Sequence, residues 1–282
     1  MEKIKITCDS SADLNRLFEE NGVGVIPLFV NLGEEEYFDG VTVTPDDIYK
    51  FVDEKGVLPK TAARSPEDLK DFFKQYTDEG YTVVHISISN KLSMVCQNAR
   101  MAAREMENVY VVDSKSLSTG VGLLVLSAVD MVKQGLSAKE ICEKLEKRAE
   151  SVQASFVVNT MDYLHKGGRC SGVAAFTATA LKIKPALLVE NGSISVYKKY
   201  MSRTGARAIR KYLEDIFEQF NTPNKERIFI THTAIESEVV DAVREALAER
   251  GFENILETVA GATITSHCGP GTLGVLFIND GE

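Results

Sequence analysis

The sequence predicts an α/β protein of two domains, the first built on a parallel sheet and the second on a mixed sheet. Three observations carry that prediction. In the first half, strand-like apolar segments alternate with amphipathic helix-like ones, the pattern of strand-helix-strand units and so of parallel pairing. In the second half, Asn191-Gly192 stands between two strand-like runs, 185–190 and 193–200, the strongest short signal of an antiparallel hairpin. Between the halves, a helix opened by Ser137 runs out near Ser151 and a new apolar run, 155–158, begins. The domains are therefore expected at 1–152 and 153–282.

In chain order, residues 3–7 alternate apolar and polar as a half-buried strand does, and run into Cys8-Asp9-Ser10-Ser11-Ala12-Asp13-Leu14, a polar turn expected to open a helix. Thr44-Pro45-Asp46-Asp47 and Ser65-Pro66-Glu67-Asp68 each combine a capping hydroxyl, a proline at the first helical position and an acid three residues on. Two helices start there. Strand 82–88 leads to helix 94–105, with Ser93 as its expected N-cap, and strand 108–112 leads to a long helix around 119–133. Ser137-Ala138-Lys139-Glu140 is a further capping box. After the hairpin come helix 204–220, strand 227–231, helix 236–250, strand 255–259 and a final strand 272–278.

Composition excludes several functions. With 41 acidic and 32 basic residues the chain carries a net charge of −9, which repels phosphate backbones and anionic lipid surfaces, so no nucleic-acid partner is expected. There is no tryptophan to stack on single strands. The apolar run 121–129 is half a membrane span and is closed by Asp130, and the N-terminus has no signal-like apolar stretch. A cytoplasmic protein without integral membrane association is expected. Cys8, Cys96, Cys142, Cys170 and Cys268 are scattered and read as reduced thiols.

Several segments bear on chemistry. Gly269-Pro270-Gly271-Thr272-Leu273-Gly274 matches the dinucleotide fingerprint in form, but a strand-like run and the chain's end follow it, so it reads as a glycine turn between strands. No Walker A sequence, nucleophile elbow or zinc-binding helix is present, and the four histidines are not at metal-ligand spacing. No resident cofactor, metal or catalytic residue is expected. After strand 82–88 the chain turns at once into a helix, so Ser93 reads either as a plain cap or, with the free N-H groups that follow it from Met94 onward, as a seat for a carboxylate or phosphate. Thr61, in a loop of small residues, is either a connector or a second hydroxyl at that seat. Arg169, Arg203 and the loop residue His267 are either surface features or groups facing a cleft between the domains.

Taken together, Thr7 through Leu14, Val112-Asp113-Ser114, Leu164-His165-Lys166-Gly167-Gly168-Arg169, Leu181-Lys182-Ile183-Lys184-Pro185 and Ser266-His267-Cys268-Gly269-Pro270-Gly271 resemble the DegV family along essentially the whole chain. That family comprises bacterial fatty-acid-binding proteins, including the lipid-binding subunit of fatty acid kinase. The resemblance implies a carrier that buries one long-chain fatty acid, with no chemistry of its own, and presents the carboxylate to a separate kinase subunit. It assigns the carboxylate to the hydroxyls of Thr61 and Ser93, to which the helix start adds the neighbouring N-H groups at Met94, and places His267, Arg169 and Arg203 near the headgroup or at a docking site for the partner. Burying roughly 14 methylenes at about 0.8 kcal/mol each offers on the order of 11 kcal/mol before ordering costs. Two departures from the family pattern stand out. Met94-Val95 replaces Gly-Thr, and Ala62-Ala63-Arg64 replaces a loop that commonly carries serine and proline, which puts a charge in reach of the headgroup. A different class is suggested by the family's likeness to the substrate-binding fold of dihydroxyacetone kinases, in which His267 would bind a carbonyl carbon covalently.

Overall fold

A computed structural model describes residues 2–171, 183–201 and 205–281. The first strand, β1 (Ile4–Asp9), ends in a single 3-10 turn, and α1 (Leu17–Glu20) follows as one short turn of helix. The polar turn after β1 thus does not run straight into a helix, because Asp13 and Asn15 both take left-handed backbone conformations. Next come β2 (Gly24–Ile26), β3 (Phe29–Leu32), β4 (Glu35–Phe38), α2 (Pro45–Lys55), β5 (Lys60–Ala62) and α3 (Pro66–Thr77). Both proline-started helices have the reciprocal capping that their sequences predict. They are followed by β6 (Thr82–Ser87), α4 (Val95–Ala103), β7 (Val109–Asp113), α5 (Thr119–Lys133) and α6 (Ala138–Arg148).

The remainder comprises β8 (Val152–Val157), α7 (Asp162–Gly167), β9 (Cys170–Ser171), β10 (Ile183–Glu190), β11 (Ser193–Met201) and α8 (Gly205–Gln219). It closes with β12 (Arg227–His232), α9 (Ser237–Ala248), β13 (Asn254–Val259), α10 (Ala262–Cys268) and β14 (Leu273–Ile278).

The described strands form three sheets. A four-stranded sheet, in the order β2-β1-β6-β7, is parallel throughout. A seven-stranded mixed sheet runs β13-β12-β14-β8-β10-β11-β9. The β10-β11 hairpin turns at Asn191-Gly192, both with positive φ, as a two-residue turn of this type requires. A three-stranded antiparallel sheet, β4-β3-β5, was not foreseen from the sequence and pairs Thr61 with Val30.

Helix α5 joins the two large sheets. It is buried on every side from Thr119 to Val129, with no polar stripe, as expected of a helix covered by protein all round. It packs on β1 and β6 of one sheet and on β8, β12 and β14 of the other. The main apolar core accordingly draws Val84 and Ile86 from the first sheet, Leu123 and Leu124 from α5, and Phe156 and Leu276 from the second. Helices α8 and α9 cover the opposite face of the seven-stranded sheet, around Tyr212 and Phe277. Among the described residues, no helix is long and apolar enough to cross a membrane.

The parallel sheet has its topological switch between β1 and β6, where the chain's connections diverge to either side. Open sheets of this kind hold ligands at the carboxyl ends of the strands beside such a point. The end of β1 there is occupied by Asp9, which accepts hydrogen bonds from the Ser11 hydroxyl, from Ser87 Oγ at 3.0 Å and from the Ile88 N-H at 2.9 Å. Burial pushes the Asp9 carboxyl up, and those donors pull it part of the way back. Asp9 therefore fixes the loop that leaves β6.

Candidate functional site

That loop forms one wall of a cleft, contributing Ile88, Leu92, Ser93 and Met94. A second wall is Thr61, Ala62 and Ala63, at the end of β5. A third is α10, through Thr263, Ile264, His267 and Cys268. Leu164 and Arg169 also line the cleft. The cleft encloses about 130 Å³, and a smaller cavity of about 20 Å³ shares Leu117, Ile264 and Cys268 with it and is walled further on by Phe156 and Leu276.

The polar groups converge. Thr61 Oγ1 and His267 Nε2 are 2.8 Å apart, linking β5 to α10 across 206 residues of sequence. His267 is not in a loop, as its small, glycine-flanked neighbours suggested, but in the last turn of α10. The first two N-H groups at the start of that helix are taken by carboxylates from far away. Gly261 N-H donates to Asp13 Oδ1 at 2.9 Å and Ala262 N-H to Asp39 Oδ1 at 2.8 Å. No local capping side chain marks the helix, and for that reason the sequence does not announce it. The glycine-rich segment that follows thus joins a helix to β14, not a strand to a strand.

The Gly-Gly pair has a physical reason. A Cβ on Gly167 would lie 2.6 Å from His267 Nδ1, so only glycine lets the imidazole sit there, while Gly168 ends α7 at φ +67°. Nδ1 is buried and has no partner among the described residues. An orphaned N-H is rarer than an orphaned acceptor, so the proton is assigned to Nε2, which donates to Thr61 Oγ1 and leaves the threonine proton free. Burial, with the charge of Arg169 in second place, lowers the His267 pKa to about 4, so the ring is neutral at pH 7. Arg169 is exposed at the mouth and donates to Gly167 O at 2.6 Å.

Ser93 lines the cleft but is not the helix cap. Its N-H and that of Leu92 are both held by Ser89 O, at 3.1 and 3.0 Å, which tightens the turn and delays α4 to Val95. Ser93 Oγ accepts from the Val95 N-H only at 3.4 Å, and the N-H of Met94 has no acceptor among the described residues. The Met94 side chain is 52% exposed at the rim. Arg64 does not line the cleft. Its guanidinium lies 4.4 Å over the Phe29 ring and 5.2 Å from Phe38, with Asp68 3.4 Å away. Arg203 lies outside the described residues.

Sequence reasoning brought Thr61, Ser93, Met94, Arg169 and His267 to notice, and all five line this one cleft. It missed Thr263, Ile264 and Cys268. The spacing of Thr263 and His267, four apart, is that of one helix face, and it becomes a signal only once α10 is recognised. Among the described residues no group of side chains is arranged to hold a metal ion.

Residues 3–280 match the family model described as "Uncharacterised protein, DegV family". The chain belongs to the DegV family. A fatty acid-binding protein of Thermotoga maritima is 34% identical to it over 96% of either chain. Among solved structures, a DegV lipid binding protein from the same organism superposes with a TM-score of 0.86 at 32% identity, covering 98% of each chain. A DegV family protein from Thermus thermophilus, solved in a study of its fatty acid binding, also gives 0.86 at 32% identity, over 98% of this chain and 99% of its own. The α/β fold, with one parallel and one mixed sheet, is that of these DegV proteins.

Proposed function

We propose that the protein binds one long-chain fatty acid in this cleft, with the carboxylate at Thr61, Ser93 and the Met94 N-H and the chain running past Ile264 and Cys268 toward Phe156 and Leu276. The observation that carries the reading is a largely apolar cleft lined by the hydroxyls of Thr61 and Ser93 and by Met94, whose N-H has no acceptor among the described residues, with an apolar cavity that shares Leu117, Ile264 and Cys268 with it. Fatty acid binding by relatives that match the whole chain supports it. In this reading residues 1–152 supply the hydroxyl walls and 153–282 the seat of the acyl chain.

A carboxylate out of bulk water must keep hydrogen-bond partners. Thr61 donates its free proton, and Nε2-H of His267 behind it keeps that hydroxyl turned toward the ligand. A neutral His267 cannot balance the ligand's charge, so Arg169 does. The enclosed space is below the roughly 300–1,000 Å³ usual for ligand pockets, so the chain is seated by displacement of Ile264, Leu117 and their neighbours. The carboxylate end, at the rim beside exposed Met94 and Arg169, is the end a separate fatty acid kinase subunit would reach, and presentation to such a partner completes the proposal. A covalent carbonyl adduct needs an accessible imidazole nitrogen, whereas Nε2 of His267 is engaged with Thr61 and Nδ1 is buried against Gly167.

Native mass spectrometry of freshly purified protein, followed by denaturing extraction, tests the reading. A stoichiometric fatty acid is expected. A ligand-free protein that also binds no added lipid would overturn it. Thr61→Ala with Ser93→Ala is expected to weaken retention by at least about tenfold, since each removes a hydrogen bond to a charged group.

A further inference from the structure

Three side-chain hydroxyls belong to α10, and two of them are used up within it. Thr265 Oγ1 donates to Ala260 O at 3.2 Å and Ser266 Oγ to Ala262 O at 2.7 Å, the ordinary use of such groups in a helix. Thr272, just beyond, donates in the same way to Cys268 O at 3.0 Å. Thr263 does not. It is 5% exposed, it lines the cleft together with Ile264 and His267, and its Oγ1 is buried with no hydrogen-bond partner among the described residues. A buried hydroxyl left unpaired is costly, and native proteins keep few without a use for them.

We propose that Thr263 is a third hydroxyl donor to the ligand's carboxylate, a contact that rests on the fatty-acid reading above. A carboxylate offers about four acceptor positions on two oxygens. Thr61, Ser93 and the Met94 N-H account for three, and Thr263 supplies the fourth from a separate segment of the chain. The Thr61–His267 hydrogen bond already holds α10 against β5, so the Thr263 hydroxyl is brought to the ligand on a fixed helix, not on a loop. Four donors around two oxygens select an acid by its headgroup. An alcohol or ester of the same chain length leaves some of them unpaired, and an unpaired buried donor discriminates more strongly than a methylene does.

Delipidated wild type, Thr263→Val and Thr263→Ser are titrated with myristic acid and with 1-tetradecanol, and the ligand-free melting temperatures are compared. Thr263→Val, nearly isosteric, is expected to weaken myristate by about tenfold or more and to leave tetradecanol within about twofold. Thr263→Ser, which keeps the hydroxyl, is expected to stay within about threefold of wild type for myristate. The ligand-free Val variant is expected to melt at or above wild type, because the lost hydroxyl had no partner. Equal effects of Thr263→Val on acid and alcohol overturn the proposal, as does a Ser variant as weak as Val or a Val variant that melts below wild type. Wild-type protein that binds neither lipid overturns the fatty-acid reading, and this contact with it. Wild type that binds myristate while Thr263→Val binds it equally well overturns this contact alone.

Discussion

At Gly167 the absence of a side chain is what seats the His267 ring. Gly167→Ala is therefore expected to keep the fold, because no positive φ is involved, while pushing the imidazole off Thr61 and weakening the proposed fatty acid binding about tenfold. Gly168→Ala is the contrast. It strains the left-handed end of α7 and costs about 1 kcal/mol of stability, with nothing within 4 Å of the added carbon. Ligand titration alongside urea denaturation separates the two, and equal affinity losses in both variants would deny Gly167 its role. The sequence shows the two glycines side by side and gives no sign that one serves a histidine a hundred residues away. Arg64 carries the same lesson in reverse. Its position after Thr61 suggests a charge at the headgroup, but two phenylalanine rings outcompete the cleft for its guanidinium.

At the scale of elements, legibility follows the range of the forces involved. Helices α2, α3 and α6 begin at capping boxes written in four consecutive residues, and the β10-β11 hairpin turns on two. These are readable because their determinants are local. Helix α10 is capped by Asp13 and Asp39, 248 and 223 residues away, and the short strands β3, β4 and β5 pair with one another, with β3 and β5 packed on α10. Nothing local specifies them. Asp39 is 3% exposed and accepts from Ser10 Oγ at 2.8 Å as well as from the Ala262 N-H. Asp39→Ala is expected to cost about 2 kcal/mol or more, by loss of charge-assisted bonds at a helix N-terminus, and Asp39→Asn less. Urea midpoints measure both, and an Ala variant as stable as wild type would show that α10 does not depend on this cap.

Over the whole molecule, buried titratable groups give stability a dependence on pH that can be assigned by sign. His85 is fully buried, bonded to Thr7 Oγ1 at 3.0 Å and packed edge-on to Phe73, and burial lowers its pKa to about 3. His267 is lowered to about 4. Between an unfolded value near 6.5 and those values, the unfolded chain takes up protons that the folded one refuses, so both histidines remove stability as pH falls. Asp9 and Asp13, raised by burial, act in the opposite sense, their contribution being lost as pH rises. A comparison within one background isolates a single group. From pH 7 to pH 5 the wild type is expected to lose about 2 kcal/mol more than His85→Gln, read from urea unfolding at the two pH values. Equal losses would mean that His85 is already charged in the folded state.

The capping of α10 by Asp13 and Asp39 also bears on how the protein comes into being on the ribosome. Both carboxylates are made well before the two N-H groups they are to bind, at Gly261 and Ala262, which lie 248 and 223 residues further along. Until those appear, Asp13 has, among the described residues, only the Ser118 hydroxyl and Asp39 only that of Ser10, and Thr61 has no imidazole to meet. All four strands of the parallel sheet are made before α10, so the cleft stays half assembled until α10 arrives.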